Sequence, residues 1–219
     1  MDETALPKGV GHETLLSVVA GWHGAGAATD PVLTATVSET TGIEDAVGRQ
    51  TRFLESLGVL EAEGQRHRLT EAGAPLAAAL DAGRSAEARS HARTLFEAWP
   101  FTDRVVGIVR GNPLAEDALV RQVGALAGTD LDRSRHRTGT RALVETLAWA
   151  GLLGWEEGAY VPGPATSEGG EALRLSLELG VDVDAEQVEA LVAALRSGLL
   201  EDGEGVPNLE ATVETGDRE

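Results

Sequence analysis

The sequence has no cysteine, one methionine and a single lysine, Lys8, among 18 basic residues. The lack of cysteine excludes a disulfide framework, a thiolate metal site and a thiol nucleophile. Aromatic rings are scarce, with four Trp, one Tyr and three Phe. Trp99, Phe101, Trp149 and Trp155 are expected in core or interdomain packing. No run approaches the roughly 18 consecutive apolar residues of a spanning helix. The N-terminus also lacks a basic region followed by an apolar run, so the expectation is a cytoplasmic protein with no membrane partner. Enzyme signatures are missing too. The five histidines (12, 23, 67, 91 and 136) are scattered, and none stands four residues from another as in a zinc-protease helix. Gly24-Ala25-Gly26-Ala27-Ala28 follows a helical pattern rather than a strand and lacks the third glycine of a dinucleotide fingerprint. No catalytic residue, metal or cofactor is expected.

What is present is acid. The 219 residues carry a formal charge of −18. Such an acidic, lysine-poor balance, rich in Ala, Gly and Arg, resembles proteins of salt-loving archaea. In dilute salt this charge would oppose nucleic acid, whose phosphates supply most of the affinity for a protein. At about 1 M salt the screening length shrinks to roughly 3 Å, and only charge at the contact itself matters. Net charge is then a statement about solubility.

Residues 1–11 and 201–219 show no apolar periodicity and are expected to be disordered. The second stretch holds seven acids against one arginine. Between them the pattern is mostly helical. Leu15, Leu16, Val19 and Trp22 mark a helix over about 12–22, and a short helix near 31–40 ends at Thr41-Gly42. Ile43, Val47, Leu54 and Leu57 keep a helical period with Gln50 in the missing place. Gly58 then stops that helix. Val59-Leu60 and Arg66–Leu69 read as two short strands about a Glu63-Gly64 turn, and Thr70 opens a further helix to Leu80. Residues 84–98 form a connecting helix that Trp99-Pro100 stops.

A second stretch repeats this order. Val105, Val106, Ile108 and Val109 face one way, and Gly111-Asn112-Pro113 ends their helix. Helices over about 116–127 and 132–150 follow, then Gly151, Leu152-Leu153, a Glu157-Gly158 turn and Tyr160-Val161. Leu54 falls on Leu147 and Gly58 on Gly151, a shift of 93, so the chain carries an internal repeat. Beyond it, Leu173, Leu175, Leu177 and Leu179 alternate as in a half-buried strand. Asp184 and Gln187 form a capping box before a helix with Val188, Leu191, Val192, Leu195 and Leu199 on one stripe.

The stretch from Phe53 to Glu61, with Arg66-His67-Arg68-Leu69-Thr70-Glu71-Ala72-Gly73, resembles the recognition helix, wing and following helix of prokaryotic winged helix-turn-helix proteins. Leu143 to Tyr160 is similar. The resemblance implies a mainly α fold with small β wings: two winged helix-turn-helix units over 12–83 and 102–163, joined by a connecting helix over 84–101. A strand-helix element over 171–200 follows. It also implies duplex DNA as the partner, with the longer helix in the major groove and the wing on the backbone.

Candidate contacts follow from charge. Residues 84–141 hold ten arginines against seven acids, a positive region in a negative chain. Arg133, Arg135, His136, Arg137 and Arg141 gather where the second long helix begins, the end that approaches base edges in this motif. Arginine pairs bidentately with phosphate or guanine. In the first unit Glu39, Glu44 and Asp45 precede Arg49 and Arg52, so the entry end repels phosphate. Its wing, with Arg66 and Arg68, offers a grip on backbone. The leading function is non-catalytic duplex DNA binding in transcription regulation or a related DNA transaction. The alternative is an interaction subunit, similar to the acidic tandem winged-helix partners of chromosome-organising complexes. In that case a homodimer or protein partner would join through the 171–200 strand-helix.

Overall fold

Among the described residues there are eight helices and two antiparallel hairpins, and six of the helices with both hairpins form two copies of one pattern. The computed structural model describes residues 4–164 apart from Asp45. The expected strand-helix over 171–200 and acidic tail over 201–219 lie outside the described residues.

In the first copy, α1 (His12–Gly24) buries Leu15, Val18, Val19 and Trp22, the i, i+3, i+4, i+7 face of a helix. After it come α2 (Thr34–Thr41) and α3 (Ala46–Ser56). Helix α3 buries Val47, Gln50, Phe53 and Leu54. It ends with the Val59 N–H bonded to the Leu54 carbonyl at 2.8 Å and Gly58 at φ 76°, the left-handed stop that glycine adopts without strain. Strands β1 (Leu60–Glu63) and β2 (Arg66–Leu69) pair from Leu60↔Leu69 to Glu63↔Arg66. The helix expected from Thr70 begins at Gly73, as α4 (Gly73–Asp81). Thr70 instead caps it: its hydroxyl accepts from the Gly73 N–H at 2.8 Å and donates to the Gly58 carbonyl at 2.6 Å.

Helix α5 (Ser85–Ala98) leads to Trp99, whose extended backbone is what a residue before proline prefers. Pro100 then opens α6 (Pro100–Gly111) at a position where its missing N–H costs nothing. The second copy continues with α7 (Glu116–Leu126), α8 (Ser134–Trp149), β3 (Leu153–Glu156) and β4 (Ala159–Pro162).

The repeat holds hydrogen bond by hydrogen bond. At the 93-residue shift, Leu152 N–H bonds the Leu147 carbonyl at 2.9 Å and Gly151 sits at φ 80°. The hairpin register Leu153↔Pro162 likewise matches Leu60↔Leu69. Each hairpin also receives one isolated bridging residue. Val32 bridges His67, and Leu114 bridges Tyr160, the residue 93 positions on from His67. One buried cluster runs through both copies, from Leu15, Val47 and Leu54 to Leu119, Leu143 and Leu147. Helix α1 packs against α2, α3, α4 and α8.

Two expectations fail. Residues 4–11, expected to be disordered, are packed: Leu6 and Val10 are buried. Lys8 donates its backbone N–H to Gln50 Oε1 at 3.1 Å and accepts from Gln50 Nε2 at 3.0 Å. Two apolar side chains four apart are too few for a periodic signal, yet enough to anchor a short extended strap. Trp155, expected in packing, is 54 % exposed. It shares a face of the second hairpin with the buried Leu153 and Tyr160, next to the turn, and its ring centroid lies 4.7 Å from that of Tyr160, its partner in register. Trp99 and Phe101 are buried as expected.

Candidate nucleic-acid interface

The cationic residues singled out in the sequence divide by what holds them. Arg141, half-buried, is ion-paired to Glu116 and to Asp117, the latter at 3.0 Å. These acids open α7, where a helix N-terminus favours negative charge. Arg133 meets Asp130 at 3.3 Å, one turn away. Arg68 sits between Glu61 at 3.0 Å and Glu63 at 3.2 Å, so the first hairpin neutralises its own cation. Arg66 donates to the Pro31 carbonyl at 3.2 Å. Such ion pairs near the surface contribute little stability, but each carboxylate offsets the positive charge its arginine presents.

The others stand differently. Arg49, Arg52, Arg135 and Arg137 are exposed and make no ion pair among the described residues. His136 is half-buried, with Nδ1 3.0 Å from the Asp130 carbonyl. A carbonyl only accepts, so Nδ1 carries the proton in that contact and Nε2 is left for another partner.

The strap over residues 4–11 brings these groups together. Its Gly9 N–H bonds the Arg135 carbonyl at 2.7 Å, and Lys8 holds Gln50 of α3. Pro7 lies so close to Gly139 of α8 that a Cβ there would come within 1.8 Å of the Pro7 carbonyl oxygen. Arg49 and Arg52 of the first copy and His136 of the second therefore line one small cavity with Lys8. Sequence reasoning treated the two helices as separate faces and missed Lys8. The only available signal was Gln50, a polar residue at a core position of α3, which demanded a buried partner.

The far end of α8 is fixed by α1 and α5. His12 Nδ1 lies 3.0 Å from the Thr146 hydroxyl, and its ring is 5.7 Å from that of Trp149. Burial holds the His12 imidazole below its ordinary range. Arg93 donates to the Ala150 carbonyl at 3.0 Å, a cation at a helix C-terminus. With that end anchored, the basic start of α8 is presented from a rigid support.

No helix among the described residues is long and apolar enough to cross a membrane. No family model, curated protein or solved structure matches the chain.

Proposed function

We propose that the protein is a non-catalytic duplex DNA-binding protein built on tandem winged helix-turn-helix units, with a role in gene regulation or an associated DNA transaction. Support for the fold reading lies in the duplicated order of helix, bridging residue, two helices and hairpin. The observation that carries the functional reading is the meeting of Arg49 and Arg52 on the first long helix with His136 on the second in one cavity, beside the strap whose Gly9 N–H bonds the Arg135 carbonyl. Arg137 extends the same end of α8, and none of these four arginines is paired with a carboxylate of the described residues. In a chain of −18, such a face concentrates the local positive charge that phosphate contact requires. Arg135 and Arg137 take phosphates or guanine edges, and Arg49 and Arg52 take backbone. Arg133, Arg141, Arg66 and Arg68, already held by protein oxygens, contribute less.

Fluorescence anisotropy with a labelled random-sequence duplex tests this. Parent protein should bind, and the Arg135→Gln/Arg137→Gln double variant should bind at least about tenfold more weakly, since hydrogen bonds to charged groups contribute about 1.5–3 kcal/mol each. Equal binding by the two overturns the assignment.

A second reading is favoured by different residues. The first hairpin is self-neutralised around Arg68, and the second exposes Trp155, a residue type enriched at protein interfaces. On that reading the chain is an interaction subunit that forms a homodimer or joins a protein partner. Light scattering on the full chain, showing a stable dimer that ignores DNA, would favour it.

A further inference from the structure

We infer that the cavity between the strap and the two long helices is a seat for a single phosphate group. It encloses about 40 Å³ and is lined by Lys8, Arg49, Arg52, Thr4, Thr129 and His136. These residues come from three separate parts of the chain, so the cluster is a product of the fold and not of a local run of charge. Three are permanent cations, two carry hydroxyls, and no carboxylate is among the described lining residues. The contrast with the rest of the molecule is large, since acids outnumber basic residues two to one, 36 to 18.

The chemistry of the lining selects the ligand. Two guanidinium groups offer planar donor pairs that match phosphate oxygens, and the ammonium adds a point charge. Lys8 engages Gln50 through its backbone alone, which leaves the ammonium for a ligand. The Thr4 and Thr129 hydroxyls add neutral donors, and His136 Nε2, an acceptor in the neutral ring whose Nδ1–H goes to the Asp130 carbonyl, suits the P–OH of a hydrogen phosphate. The phosphate belongs either to a duplex backbone or to a free phosphate-bearing small molecule. Only the first of these rests on the DNA-binding reading above.

Isothermal titration of the full chain with inorganic phosphate, in a constant background of KCl, tests the seat. The parent should show one saturable site. Arg49→Gln/Arg52→Gln should weaken it by about tenfold or more, whereas Arg110→Gln, an exposed arginine on α6 away from the cavity, should leave it unchanged. Circular dichroism confirms that each variant is folded. Absence of saturable phosphate binding in the millimolar range, or equal binding by parent and double variant, overturns the proposal. A parallel arm follows duplex binding as phosphate is added. Competition that disappears in Arg49→Gln/Arg52→Gln assigns the seat to backbone phosphate. Phosphate binding without competition, or in a parent that binds no DNA, assigns it to a free phosphate and leaves the seat standing while the DNA reading fails.

Discussion

The two copies agree at the end of their long helices and part company at the beginning. From Leu54 and Leu147 onward, stop glycine, hairpin register and the hairpin residue that takes the bridge, His67 or Tyr160, coincide at a constant shift of 93. At the start they do not. Helix α3 begins at Ala46, which maps to Gly139, yet α8 begins five residues earlier at Ser134. Arg135, His136 and Arg137 all lie on that extension, so the basic end of α8 is an addition to the shared pattern. The core differs at one matching place. Gln50 of α3 corresponds to Leu143 of α8, and both are fully buried. One copy spends that position on a polar latch for the strap, and the other on plain packing. Shared geometry thus keeps the fold, and the departures from it assemble the cationic cleft.

Exchanging the differing residues gives the largest effects. Leu143→Gln places an amide in an apolar pocket with no partner and should cost about 2–5 kcal/mol of stability by chemical denaturation. Gln50→Leu makes the first copy resemble the second but strips Lys8 of both backbone partners. It should cost about 1–3 kcal/mol and expose the strap to faster amide exchange at Lys8 and Gly9. If Gln50→Leu is neutral, the latch is not what holds residues 4–11.

Glycines in the two long helices sharpen the comparison. A methyl at Gly139 would strike the Pro7 backbone, whereas one at Gly48 of α3 meets nothing within 4 Å. Gly139→Ala should destabilise by about 1–3 kcal/mol through overpacking. Gly48→Ala should stabilise by about 0.5–1 kcal/mol through helix propensity. Thermal melts of the two variants that move in the same direction would contradict the close approach.

A smaller effect is the pH response of the contact between α1 and α8. Burial lowers the His12 pKa from its ordinary 6.5, with Glu13 and Glu145 opposing and Arg89 assisting. The unfolded chain therefore binds this proton more readily than the native state. The contribution is present above about pH 6.5 and is lost as pH falls below it through the native value. His12→Gln should flatten the stability profile there, measured by urea midpoints across pH 5–7.5, roughly the window in which histidine titrates.

Much of this was legible in the sequence. Helix periodicity, the stop glycines Gly58 and Gly151 and the two short hairpins are local features, each set by residues within one or two turns of one another. Their positions follow from the chain with shifts of a few residues, as where Thr70 caps a helix that it was expected to begin. The strap was illegible because Leu6 and Val10 are isolated and become meaningful only against α3 and α8. The pairing of Arg141 was hidden for the same reason. Glu116 and Asp117 lie on another helix, and charge counts along the chain cannot say which arginines meet them. Trp155 escaped because aromatic scarcity argues for burial, whereas its place next to the turn of a two-stranded ribbon leaves it exposed although Leu153 and Tyr160 on the same face are buried.

The most direct test of the central claim is the salt dependence of duplex binding. The logarithm of the binding constant should fall linearly with that of KCl concentration, and the slope should shrink by about 0.9 for each phosphate contact removed. For Arg135→Gln/Arg137→Gln the account expects a slope shallower by up to about 2, with Arg68→Gln, whose arginine is already held by Glu61 and Glu63, close to the parent. A slope unchanged in the first variant, or lowered as much in the second, would contradict it.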